Sequence, residues 1–178
     1  MIIDYDYFTV MKKIGLVYSF NGNKTSQVAK RIIEEMKDVP IEAINAETLS
    51  EEQFLAFDNL ILGVPTWFDG ELPNYWDEFG PAIEDLDLKG KCFALYGLGD
   101  QVNYSENFLD AVGIMAELLK SRGAKIIGLT STKGYSFESS KAVTGDKFLG
   151  LAIDFENQAN KNKERIKLWM KQLQNEFH

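Results

Sequence analysis

The chain has 178 residues, of which 45% are hydrophobic, 12% aromatic and 26% charged, the profile of one compact domain with its own core. Nineteen Lys and Arg against 27 Asp and Glu leave a net charge of -8, which repels nucleic acid and anionic membrane and favours basic protein surfaces. With Cys92 the only cysteine and His178 the only histidine, no disulfide framework, Cys/His zinc site, Ser-His-Asp triad or Cys–His nucleophile pair is expected, and a reducing, cytoplasmic setting fits.

Residues 1–11 read as a short N-terminal extension, since Met1 to Val10 carries Asp4 and Asp6 but no Lys or Arg, unlike a signal or transit peptide. The domain is expected over residues 12–178, and no apolar run in it approaches a membrane span. Ile14 to Tyr18 is an apolar run of strand length, too continuous to be half-exposed. After it comes Ser19-Phe20-Asn21-Gly22-Asn23-Lys24-Thr25, then a helical stripe at Val28, Ile32, Ile33 and Met36. Small polar residues at a helix start can cradle an anion on backbone N–H groups. An ordinary polar strand-to-helix turn explains this loop equally well, and it lacks the Walker spacing.

Val39 to Ile44 suits an edge strand, and Ser50 with Gln53 forms a capping box for a short helix bearing Phe54 and Leu55. Leu60 to Val64 is a second buried strand, followed by Pro65-Thr66-Trp67-Phe68-Asp69-Gly70-Glu71-Leu72-Pro73. Large aromatics at a ligand edge suit stacking on a planar ring system, although Trp67 and Phe68 can also simply cover the sheet end. Asp69-Gly70 is a peptide segment able to reorient, because both residues tolerate positive φ.

Cys92 to Tyr96 is a third buried strand, followed by Gly97-Leu98-Gly99-Asp100-Gln101-Val102-Asn103-Tyr104-Ser105-Glu106-Asn107-Phe108. Here Gly97 and Gly99 allow close backbone approach, Asp100 can accept from a ring imide N–H, and Tyr104 can stack opposite Trp67. The alternative is a turn in which Asp100 or Ser105 caps the next helix. That helix is marked by Phe108, Ala111, Val112, Met115, Leu118 and Leu119, with Gly123 as its stop; Ile126 to Leu129 is a further strand, and Ile166, Trp169, Met170, Leu173 and Phe177 line a last helix. Strands alternating with helices imply an α/β, doubly wound parallel sheet with helices on both faces and ligands at the carboxyl ends of the strands.

From Lys12 to Phe177 the chain resembles the long-chain flavodoxins. Pro-Thr-Trp with Gly-Glu-Leu resembles the family's first ring-contact loop, and Gly-x-Gly-Asp-Gln with Tyr and Asn-Phe its second. Thr132 to Phe137, Gly150 to Asp154 and Asn157-Gln158 are similar to the insertion that divides the fifth strand. The resemblance implies a five-stranded sheet of order 2-1-3-4-5 and non-covalently bound FMN. Trp67 and Tyr104 would sandwich the ring, Asp100 would bond its pyrimidine edge, and Asp154 would touch the ribityl chain. Backbone at Thr66, Gly97, Leu98, Gly99 and Gln101 would complete the pocket, with Pro65, Phe68, Asp69, Gly70 and Asn107 beside it. The phosphate loop departs from the family pattern: Phe20, Gly22 and Asn23 stand where Thr, Thr and Gly are usual, leaving Ser19, Asn21, Asn23 and Thr25 to compensate and Phe20 to pack away.

The resemblance further implies a low-potential one-electron carrier, not an enzyme, using the semiquinone/hydroquinone couple as a monomer. Its partners would be redox proteins with basic patches, such as ferredoxin/flavodoxin reductase, nitrogenase reductase, pyruvate oxidoreductase or photosystem I. The alternatives are an NAD(P)H-dependent quinone or azo reductase, opposed by two rings covering the flavin, and a receiver-type module, which lacks the clustered acids it needs after the first strand. A binding domain that has lost its ligand is a third.

Overall fold

The computed structural model describes residues 11–178; the expected extension, apart from Met11, lies outside the described residues. β1 (Ile14–Tyr18), β2 (Ile41–Asn45), β3 (Asn59–Gly63), β4 (Cys92–Leu98) and β5 (Lys125–Ile127) form a parallel sheet in the order β2-β1-β3-β4-β5. β1, β3 and β4 are buried along their whole length, which is why they read as unbroken apolar runs. The outer strand is divided. β5 pairs with the first half of β4 (Ala94↔Ile127), and β9 (Leu151–Ile153) pairs with the second half (Tyr96↔Leu151). Between them β6 (Thr130–Ser131), β7 (Val143–Thr144) and β8 (Lys147–Phe148) make a small antiparallel sheet of order β6-β8-β7.

Helices cover both faces. α1 (Asn23–Glu35) and α5 (Phe155–Glu176) share one face, where Val28, Ala29 and Ile32 meet Ile166, Trp169, Met170 and Leu173 over Ile14, Leu16 and Ile61. α2 (Glu51–Leu55), α3 (Asn74–Glu84) and α4 (Asp110–Ser121) cover the other, bringing Phe54, Trp76, Ile83, Val112 and Met115 onto Leu60, Leu62, Phe93 and Leu95. The fully buried Trp76 keeps its indole N–H satisfied by donating to the Gly63 carbonyl at 2.8 Å. The Ser50–Gln53 capping box forms in full.

Three features differ from the sequence expectations. α3 has no counterpart there, because Gly80 and Pro81 interrupt its stripe. α5 begins at Phe155, a polar stretch ahead of Ile166, and departs from helical geometry at Gln158 (φ -138, ψ 33). The third is a Cys–His contact: Cys92 Sγ lies 3.2 Å from His178 Nε2, the histidine being docked under the sheet by two hydrogen bonds with Asn59. This is still no nucleophile, since Cys92 is fully buried and burial pushes its thiol up.

Candidate functional site

At the carboxyl ends of β1, β3 and β4 the loops enclose a cleft of about 510 Å³, within the usual range for small-molecule sites. Gly22, Asn23, Lys24 and Thr25 form one wall, Pro65 and Thr66 a second, and Leu98, Gly99, Asp100 and Tyr104 a third. Ten of the predicted site residues therefore meet here. Phe155 and Glu156, at the start of α5, complete the lining and were not anticipated. Lys24 reaches across to pair with Glu156 and lies 5.9 Å from the Phe155 ring centroid.

Two helices begin at this cleft, and they begin differently. α5 is capped by Asp154, whose carboxylate accepts from Glu156 N and Asn157 N at 3.0 Å each. α1 has Gly22 as its N-cap, no side-chain cap and no acidic residue in its first turn. Its leading N–H groups have no intrahelical acceptor, and the helix dipole makes that end positive. It is the natural seat for an anion.

Asn21 turns away from this seat, and Ser19 closes its first turn, its Oγ and carbonyl accepting from the Gly22 N–H at 3.2 and 3.3 Å. The Ser19 hydroxyl donates to Glu47, and the Asn21 amide donates to Glu47 Oε2 at 2.8 Å. Phe20 tilts against Tyr18, ring centroids 5.0 Å apart, and is half-exposed outside the lining. The free backbone donors at the cleft wall are those of Asn23 to Thr25, since the Gly22 N–H already donates to Ser19.

The Trp67 loop is a tight turn closed by Trp67 N to Glu71 O at 2.9 Å and Glu71 N to Trp67 O at 2.8 Å. Trp67 is 38% exposed and stands edge-on to Tyr75 at 6.0 Å and to Phe68 at 6.4 Å. Positive φ falls on Gly70 (φ 99), one of the two residues expected to tolerate it, and on Phe68 (φ 46), which was not. A phenylalanine held in the left-handed region costs roughly 1–2 kcal/mol, the kind of local strain that collects at working loops. Behind the turn, a Cβ on Gly70 would come within 2.8 Å of Asp110 Oδ2 and 3.1 Å of Asn107 Nδ2.

The third loop is locked from within. Asp100 Oδ1 accepts from Val102 N at 3.0 Å, Asn103 N at 2.9 Å and Asn157 Nδ2 at 2.8 Å, while Oδ2 accepts from Asn103 Nδ2 at 2.7 Å. Burial alone would raise its carboxyl, but the bonds from Asn103, Asn157 and Val102 outweigh burial and hold it at about 2. A folded value below the usual 3.8 means the contribution to stability is full above 3.8 and fades as pH falls toward 2. A carbon-detected NMR titration should place the Asp100 midpoint near 2; a midpoint at the ordinary value would show that these donors do not hold the carboxylate.

Gly97 and Gly99 serve packing, because a Cβ would meet Val112 Cγ2 at 2.3 Å and Phe108 Cδ2 at 3.0 Å respectively. Asp154 also differs from expectation. Its side chain is fully buried and, besides capping α5, accepts from Gln101 N at 3.2 Å and Gln101 Nε2 at 2.8 Å. It fastens two walls of the cleft together and presents no free face for a ribityl hydroxyl.

The segment between β5 and β9 braces the same loop from outside. Ser136 N donates to Gln101 Oε1 at 2.7 Å, Glu138 N and Ser139 N donate to Ser105 O at 2.9 and 3.0 Å, and Lys141 N donates to the buried Asp110 Oδ1 at 2.7 Å. Asp110 and Asn107, bonded at 3.2 Å, carry that support to the back of the Trp67 turn.

A doubly wound sheet with a bare helix start opening on a cleft lined by Tyr104 and Phe155 is the arrangement of a binding protein for a planar, phosphorylated ligand. The comparisons make this particular. The flavodoxin family model matches residues 16–169, and the chain belongs to the flavodoxin family. It is similar to a flavodoxin of Trichodesmium erythraeum, 43% identical over 169 residues covering 94% of this chain and 99% of that one. A flavodoxin of Klebsiella pneumoniae is 39% identical over 169 residues, covering 94% and 96%. Among solved structures, Fusobacterium nucleatum flavodoxin bound to flavin mononucleotide matches with a TM-score of 0.90 at 33% identity, over 94% of this chain and all of that one.

Proposed function

We propose that the cleft holds FMN with its phosphate on the uncapped start of α1 and its ring between the Trp67 and Tyr104 loops, within a domain spanning residues 12–178. The observation that carries the phosphate assignment is the contrast between the two helix starts. Asp154 already occupies the α5 end, so a dianion is drawn to the N–H groups of Asn23–Thr25. When bound, FMN supplies one-electron exchange at its ring. The chain's own part is to place that ring: Thr66 and Gly99 are fixed by continuing the sheet ladder, Thr66 N to Leu98 O at 3.0 Å and Gly99 N to Ile153 O at 3.1 Å.

The protein then acts as an electron carrier between redox proteins and makes or breaks no substrate bond of its own. Phe68, 70% exposed, stands on the Trp67 turn next to the exposed Asp69 and close in sequence to the exposed Glu71. An exposed apolar side chain flanked by acids suits a partner with a basic patch and a docking step weakened by salt. The negative field disfavours adding further negative charge to the ring, which lowers the potential of the second electron.

Calorimetric titration of the flavin-free chain tests the phosphate site. FMN should bind at least about tenfold more tightly than riboflavin, the worth of a few charge-assisted bonds. Equal affinities would remove the phosphate from α1.

A further inference from the structure

We propose that the groove between the inserted segment and α5 is a second ligand site, for an amphipathic organic anion. The groove encloses about 530 Å³, and none of its lining residues is shared with the flavin cleft. Its apolar part comes from Leu129, Leu151 and Trp169, with Leu168 on the lip 55% exposed. Three elements each bring a cation to it: Lys133 after β6, Lys147 on β8 and Arg165 on α5.

Among the described residues no Asp or Glu lines the groove, in a chain with 27 acids against 19 basic residues. Among the same residues none of these three cations forms an ion pair. Glu176, which bonds Gln172 at 2.8 Å, is also held by the Gly128 N–H at 2.6 Å. The positive charge is therefore left for something outside the fold.

Arg165 is fixed in place as a binding group would be. Its guanidinium lies 4.1 Å over the Tyr135 ring centroid, and Nη2 donates to Gln158 Oε1 at 2.5 Å. Gln158 is the residue at which α5 leaves helical geometry, and its own amide donates to Gly134 O at 2.9 Å. Nη1 is buried with no hydrogen-bond partner. Arg165 has no carboxylate partner among the described residues although it lines the groove, and a carboxylate or phosphate oxygen suits the geometry a guanidinium fork favours. An apolar body beside such a fork is what a fatty or aromatic carboxylate and an alkyl phosphate have in common.

The test uses the full FMN-bound chain labelled with ¹⁵N and titrated with octanoate, octyl phosphate and octanol. Both anions should shift the Trp169 indole N–H and the Arg165 side-chain signals saturably, with octanol weaker by about tenfold or more; the tighter anion names the headgroup. Arg165→Gln should weaken the anions by a similar factor while the visible spectrum and FMN affinity stay unchanged. The double variant Lys133→Gln, Lys147→Gln, on exposed side chains, gives the same readout without touching the Tyr135 stack. Octanol binding as well as the anions, binding unaltered in both variants, shifts confined to the flavin cleft, or no saturable shift would each overturn the site. So would binding of a glutamate-rich peptide with both small anions silent, which would make the groove a protein-docking surface.

Discussion

Asp154→Ala is expected to cost about 3–5 kcal/mol of folding stability and to weaken FMN binding by about tenfold or more. The carboxylate is wholly buried and receives bonds from Glu156 N, Asn157 N, Asn157 Nδ2, Gln101 N and Gln101 Nε2. Loss of a helix cap alone costs roughly 0.5–2 kcal/mol. Each buried donor left without an acceptor adds about 1–3 kcal/mol, reduced where water enters. Gln101 is the larger casualty, since it is buried and its backbone belongs to the loop that forms one wall of the cleft. Asp154→Asn, which keeps an acceptor, should lose about half as much. Denaturant unfolding of the flavin-free chain gives the stability without the mass-action contribution of ligand, and titration with FMN gives the affinity. Stability within about 0.5 kcal/mol of the parent would show that the network is dispensable.

Gly150→Ala should be similarly damaging for a purely steric reason. A Cβ there would lie 2.2 Å from the Leu95 carbonyl oxygen and 2.9 Å from its carbon, both backbone atoms of the buried strand β4. Neither side can yield by changing a rotamer, so the cost should reach or exceed the upper end of the usual range of about 1–3 kcal/mol for overpacking. At this chain length, about 3 kcal/mol lowers Tm by roughly 6–12 °C. Gly134 is the internal control. It has φ 91 but open space where a methyl group would stand, so Gly134→Ala should cost only the left-handed strain of about 1–2 kcal/mol. Equal losses at the two positions would mean that the close approach to β4 relaxes easily.

Much of the sheet was legible because burial on both faces forces unbroken apolar runs, as at Ile14 to Tyr18 and Leu60 to Leu62. α3 was not, because Gly80 and Pro81 fall inside it and its fixing contact, the Trp76 indole on Gly63 O, is tertiary. The first turns of α5 were also hidden. Residues 155–165 carry almost no apolar stripe, and the signal available was Asp154 as an N-cap. An aspartate before a helix has the same appearance in sequence whether it caps that helix or touches a ligand, and only its complete burial separates the two. Phe155 and Glu156 were missed with it. The approach of His178 to Cys92 joins residues 86 positions apart, and no local pattern announces it.

The divided outer strand also has a consequence for the order in which the molecule assembles. β5 follows α4 through a short turn and can pair with β4 as soon as that helix packs, whereas β9 must wait for residues 128–150 to close into their own small sheet. Closing that longer excursion carries an extra entropic toll. The portion of β4 that waits, Tyr96 to Leu98, leads directly into the loop that forms the third wall of the cleft. The outer neighbour of the binding face is thus expected to be the last strand of the sheet to dock, and a chain halted at that step would hold most of its core with the cleft still open on that side.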